Sequence, residues 1–175
     1  EPFDEPPQPP LPQLPESREI AVESLDQARD VSLAILRQAR RRLWIYSRDL
    51  DPLLFGTADA LDALKQFGIR RRDVQLRILV HDPMAALHSG HGLVPLAQRL
   101  SSSMHFRVPE TEQDLQYAAA FVLDDTGGYL FRPIGSRFEG SADLHGPGRA
   151  RQLREYFEQV WERSLPSMEL RPVLL

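Results

Sequence analysis

Apolar positions recur at helical spacing early in the chain. Ala21, Leu25, Ala28, Ser32, Ile35 and Ala39 fall on one face, and Ser17 stands where an N-cap would. Arg40–Arg42 close this helix. The period then shortens, and Leu43–Ser47, LWIYS, reads as a strand. Thr57–Phe67 is helical again, with Leu61, Leu64 and Phe67 on one side and Gly68 as the expected stop. Val74–Val80, VQLRILV, alternates and then becomes wholly apolar, as a central strand does. A short helix is expected over Val94–Leu100, with Pro95 in its first turn, and a strand over Met104–Val108. Tyr117–Leu123 and Tyr129–Phe131 predict a hairpin closed by Asp125-Thr126-Gly127-Gly128. Pro147 opens a last helix, whose stripe is Leu153, Phe157, Val160 and Trp161.

The predicted order is α-β-α-β-α-β-β-β-α. Strands separated by helices pair in parallel through right-handed crossovers, and the late hairpin adds antiparallel pairing. The fold class is therefore α/β, a mixed sheet flanked by helices. Residues 1–16 hold seven prolines and read as an extended linker or disordered arm. Pro7 and Pro10 have the PxxP spacing that SH3-like grooves accept, although a plain tether explains them as well. Residues 17–175 form the single expected domain. The partners expected are a second copy of the chain or an enzyme domain tethered upstream of residue 1.

Charge alters this picture modestly. The net charge is −4, and residues 1–30 carry −6 of it, from two Arg against eight acids. A body of +2 argues against strong nonspecific nucleic-acid binding, which rests on phosphate neutralisation. The absence of cysteine excludes disulfides and thiolate chemistry. No apolar run approaches the roughly 20 residues a membrane span needs. No signal-peptide pattern is visible, and a cytoplasmic location is expected.

The stretch Gln116–Asp125, QYAAAFVLDD, carries the most information. With the opening strand RRLWIYSRDL, the VQLRILVHDP turn, MHFRVP and the hairpin FVLDDTGGYLFRP, it resembles one half of the phospholipase D superfamily, over roughly Ala39 to Leu165. HDPMAALHSGHGLVPLAQRLSS and REYFEQVWERS are similar to an uncharacterised bacterial domain family of that fold, found alone or behind an acetyltransferase-type domain. In active members the motif is His-x-Lys-x-x-x-x-Asp. The His attacks phosphorus, the Lys stabilises phosphate charge, a Gly-Ser pair follows, and two halves meet to build one site. Here Asp124 fits the final Asp, but Tyr117 and Ala119 replace the His and the Lys. Gly135-Ser136 comes several residues late. No His-x-Lys pair exists in the chain, whose one lysine is Lys65.

The polar residues that follow the predicted parallel strands mark where such sheets bind ligands. These are Arg48 and Asp49, then His81, Asp82, His88 and His91, and then Arg107. Arg48, His81, His91 and Arg107 would suit a phosphate or carboxylate, with Asp82, Tyr117, Arg132 and Glu139 as further candidates at the same cleft. The plainer account makes Asp82 a cap before Pro83 and the histidines loop residues. Glu139 would balance Arg132. His81, Asp82, His88 and His91 also allow a zinc reading, but they lack a helical scaffold, so neither metal nor cofactor is expected. Asp124 and Asp125 are either paired acids or the start of the DDTGG turn. Arg40–Arg42 and Arg70–Arg72 meet helix dipoles at helix-to-strand junctions, or form an anion-binding patch.

The function expected is a non-catalytic binding or interaction module. It would be dimeric or would position a tethered enzyme, and it would hold an anionic ligand in its degenerate site. One alternative is a divergent phosphodiesterase or hydrolase using His81 or His91. Another is a weak nucleic-acid binder acting through the Arg clusters.

Overall fold

The computed structural model describes residues 18–171. They form an eight-stranded mixed sheet with helices on both faces. The elements are β1 (Ile20–Val22), α1 (Leu25–Gln38), β2 (Arg42–Ser47), α2 (Pro52–Phe55), α3 (Ala58–Arg70), β3 (Gln75–Val80), α4 (Pro83–His88), α5 (Leu93–Arg99), β4 (Met104–Val108), α6 (Glu112–Leu115), β5 (Ala120–Asp124), β6 (Tyr129–Arg132), β7 (Gly140–Asp143), α7 (Pro147–Glu162) and β8 (Leu165–Pro166). Their order across the sheet is β1-β7-β6-β5-β2-β3-β4-β8.

Strands β2, β3 and β4 are parallel, and every other pairing is antiparallel. The mixed α/β architecture expected from the sequence is thus present, with three further strands, β1, β7 and β8, beyond it. The side-chain period of two divides the core. Leu43, Ile45, Leu76, Ile78, Val80, Val122 and Leu130 join a large cluster with α1, α3 and α5. Trp44, Tyr46, Leu79, Phe121, Leu123 and Tyr129 meet Leu153, Phe157, Val160 and Trp161 of α7 on the other face.

Three local expectations change. Ile20–Val22 is strand rather than helix, because Ile20 and Val22 register against Ala142 and Gly140 of β7. Helix α1 starts at Leu25, where the Ser24 side chain accepts from the Gln27 N–H. Ser17, the expected cap, lies outside the described residues. Gly68 does not stop α3 either. It is buried inside the helix, where an added Cβ would meet Leu100 and Met104 at 2.8 and 3.0 Å. Gly there allows close packing, and α3 runs on to Arg70. The hairpin turn is Asp125–Gly128 as expected, and Gly127 takes a φ of 99° that favours glycine.

Candidate functional site

Because β2, β3 and β4 are parallel, the loops after all three leave the sheet at one end. The lead into β5 and the exit from β6 reach the same end. After β2 the chain turns sharply, with Leu50 and Asp51 at φ of 68° and 42°. Two consecutive non-glycine residues in the left-handed region cost roughly 1–3 kcal/mol each. Several bonds hold this turn. The Ser47 hydroxyl donates to Asp51 at 2.7 Å, and the Arg132 guanidinium forms a buried ion pair with the same carboxylate. Arg132 also donates to the Gly135 and Arg137 carbonyls. Burial pushes the Asp51 carboxyl up, while the Arg132 charge and the Ser47 hydrogen bond oppose that shift. Arg48, Asp51, Leu53, Gly135, Ser136 and Phe138 line a cleft of about 260 Å³ above the turn.

A second group lies on the α7 face at the same end. The Tyr46 hydroxyl is hydrogen-bonded to His81 Nε2 at 2.8 Å. Tyr117 packs edge-on to Tyr46, with ring centres 5.0 Å apart, and against Tyr156 at 4.7 Å. Burial and the neighbouring Tyr156 push the Tyr117 phenol up to about 12, so it stays protonated at neutral pH. Burial, and then the Arg48 charge, lower the His81 imidazole below its ordinary value. Beside this group Asp114 is buried and takes two hydrogen bonds from Arg163, at 2.7 and 2.8 Å. That pairing holds the Asp114 carboxyl below the usual carboxylate range.

The eight residues expected to line one cleft separate. His81 and Tyr117 come together around Tyr46. Arg48 and Arg132 border the Ser47–Asp51 turn. His91 is a strut instead. Its Nδ1 accepts from the Leu93 N–H at 3.1 Å, so its proton is on Nε2, which donates to the Leu50 carbonyl at 3.0 Å. Both ring nitrogens are used, and neither is offered to a ligand. Asp82 caps α4 by accepting from the Ala85 N–H. Glu139 is exposed and does not balance Arg132, whose partner is Asp51. Arg107 donates to the Trp161 carbonyl and lies over that indole, and Phe157 stands between Trp161 and Tyr46.

The motif positions also move. Tyr117 and Ala119 precede β5, which begins at Ala120. Gly135-Ser136 nevertheless reaches them, since the Gly135 N–H donates to the Ala118 carbonyl at 2.7 Å. Ala120 pairs with Arg132, so one residue bulges out between the two links. Asp124 is turn structure at the opposite end of β5. It accepts from the Thr126 N–H and hydroxyl, both at 2.6 Å, and from Gln38. Asp125 accepts from the Arg40 and Arg41 N–H groups. The two arginine clusters meet at that far end, where Arg70 donates to the Ala39 carbonyl. Among the described residues no group of three or more His, Asp or Glu is placed to hold a metal ion. Among them, too, no helix is long and apolar enough to cross a membrane.

Tyr46, Tyr156, Asp51, Asp114 and Arg163 were not anticipated as site residues. Asp51, two places beyond Asp49 in SRDLD and just before Pro52, carried the one usable signal. The others sit within patterns that read as core or as exposed helix.

No curated protein matches the chain. Solved structures do. Nuc from Salmonella typhimurium, a phospholipase D family member, aligns at a TM-score of 0.59 and 12% identity, covering 87% of this chain and 99% of that one. NucT from Helicobacter pylori aligns at 0.60 and 10%, covering 87% and 100%. The archaeal chromatin protein TrmBL2 aligns at 0.59 and 13%, covering 89% of this chain but only 56% of its own. At such identities the likeness is one of fold, and the fold is phospholipase D-like. Over residues 24–173 the chain matches the model of a family described as Domain of unknown function (DUF7931), and it belongs to that family.

Proposed function

We propose that this domain is a non-catalytic phospholipase D-like module that binds at its strand-end face, where a second copy or a tethered enzyme docks. One observation carries the reading. At the positions of the motif's His and Lys stand a packed tyrosine, whose phenol is pushed up to about 12, and an alanine. A protonated phenol is a poor nucleophile, and a methyl group stabilises no phosphate charge. The rim supports docking. Leu53, Met84, Leu115 and Ile134 are exposed large apolar residues in the segments flanking β2, β3, β5 and β6 at this end. The cleft between them is polar, with Arg48 and Asp49 of opposite charge at its lining.

Two measurements test this. Hydrolysis of bis(p-nitrophenyl) phosphate by the full chain is expected to stay at the background rate. Turnover that disappears in His81→Ala would instead establish a divergent hydrolase built on the Tyr46–His81 pair. Sedimentation of the full chain is expected to show a dimer that the double variant Leu53→Asp, Ile134→Asp dissociates. A monomer at every concentration would leave the tethered-enzyme form of the proposal. A dimer indifferent to both changes would remove this face from the interface.

A further inference from the structure

A larger cavity, of about 400 Å³, runs along β4 and shares no residue with the strand-end cleft. It sits at the outer edge of the sheet, between β4, the end of α7 and the segment Ser167–Arg171. Its lining includes Arg77, His105, Arg107 and Arg171 and no Asp or Glu. Arg77 and Arg107 come from neighbouring parallel strands, on the face that meets α7. Both guanidinium centres lie over the Trp161 ring, at 5.2 and 4.5 Å from its centroid. They are therefore no farther apart than about 10 Å, one Debye length at 0.1 M salt.

Glu158 neutralises Arg77 at 2.6 Å, from the side of α7 that also receives the Trp44 indole N–H. Arg107 has no such acid. It gives one N–H to the Trp161 carbonyl at 2.9 Å, and among the described residues it forms no ion pair. A guanidinium laid on an indole is weakly hydrated and held in one plane, so its remaining donors are preorganised. Ser101 and Ser167 add hydroxyls, although Ser167 is shared with Glu169 at 3.3 Å.

We propose that this cavity binds a small phosphorylated anion, a phosphate ester or polyphosphate. Several guanidiniums around one space fit an anion with more than one charge and several acceptor oxygens, which a lone carboxylate lacks. The volume falls within the range of small-ligand sites. The proposal is independent of the docking face, since none of the cavity's residues lines the strand-end cleft.

The test is calorimetric titration of the full chain at about 0.1 M salt, with sodium tripolyphosphate and with AMP in separate arms. Binding of one equivalent in either arm is expected, and the arm that binds more tightly tells polyphosphate from ester. Arg107→Gln is expected to weaken it by about tenfold, and Arg18→Gln, beside β1 on the opposite edge of the sheet, to leave it unchanged. With two tryptophans in the chain, the Trp161 indole N–H resonance is a local reporter and is expected to shift on titration. If Arg107→Gln does not fold, the rim variant His105→Gln, Arg171→Gln replaces it, with the same loss expected. No heat from either probe at millimolar concentration overturns the proposal. So does binding that Arg107→Gln weakens no more than Arg18→Gln does.

Discussion

Asp51 joins a strained turn to the far strand of the sheet. Its carboxylate takes the Ser47 hydroxyl and the Arg132 guanidinium, all three buried. Removing one partner of such a pair strands the other charge. Asp51→Ala is expected to cost about 3–5 kcal/mol in urea unfolding, and Asp51→Leu with Arg132→Met much less than that. The sequence offered Arg132 as a site residue but gave it the wrong acid, because Asp51 is 81 positions away and Glu139 only seven. His91 was misread for a related reason, since a loop histidine and a buried strut look alike in sequence. The histidines and Asp114 also set the acid response. His81 and His91 are lowered, so the unfolded chain gains their protons first and stability falls as pH drops through about 6.5. Asp114 is lowered too, so its contribution is present above about pH 4 and is lost as pH falls further. Melting temperatures measured against pH should show both declines, and Arg163→Met should erase the second.

At the scale of elements, the long periodic segments were legible and the short ones were not. Helix α7 follows its hydrophobic period because it buries five residues on one face, and β2, β3 and β4 stand out as runs of five or six residues whose apolar positions are shared between the two faces of the sheet. Helices α2, α4 and α6 have at most six residues each, too few to show a period. Strand β7, GSAD, carries no β-forming side chain except by position, and its reason lies in its neighbour. A Cβ on Gly140 would sit 2.0 Å from the Phe131 carbonyl oxygen, so only glycine permits the β6–β7 approach. Gly140→Ala is expected to destabilise by about 1–3 kcal/mol and to raise amide exchange at β1 and β7, measured by hydrogen–deuterium exchange. The aromatic group at the strand ends was half legible. Tyr117 was found from the motif frame, whereas Tyr156 reads as one more residue on a helix whose core stripe passes beside it.

For the whole molecule, the class of fold followed from alternation of strand and helix, but the closure of the sheet did not. Both outer strands are short pieces near the limits of the described chain, two and three residues long. β1 covers β7, and β8 covers only the end of β4. A chain beginning at Glu23 would expose the β7 edge, and light scattering is expected to show association beyond any dimer formed by the full chain. The same arrangement has a geometric consequence. Ile20 and Pro166 sit on opposite edges of the sheet, seven strand spacings apart, so the two edges are held roughly 30–35 Å from one another. Anything joined at those two edges would start from points held apart by the width of the sheet.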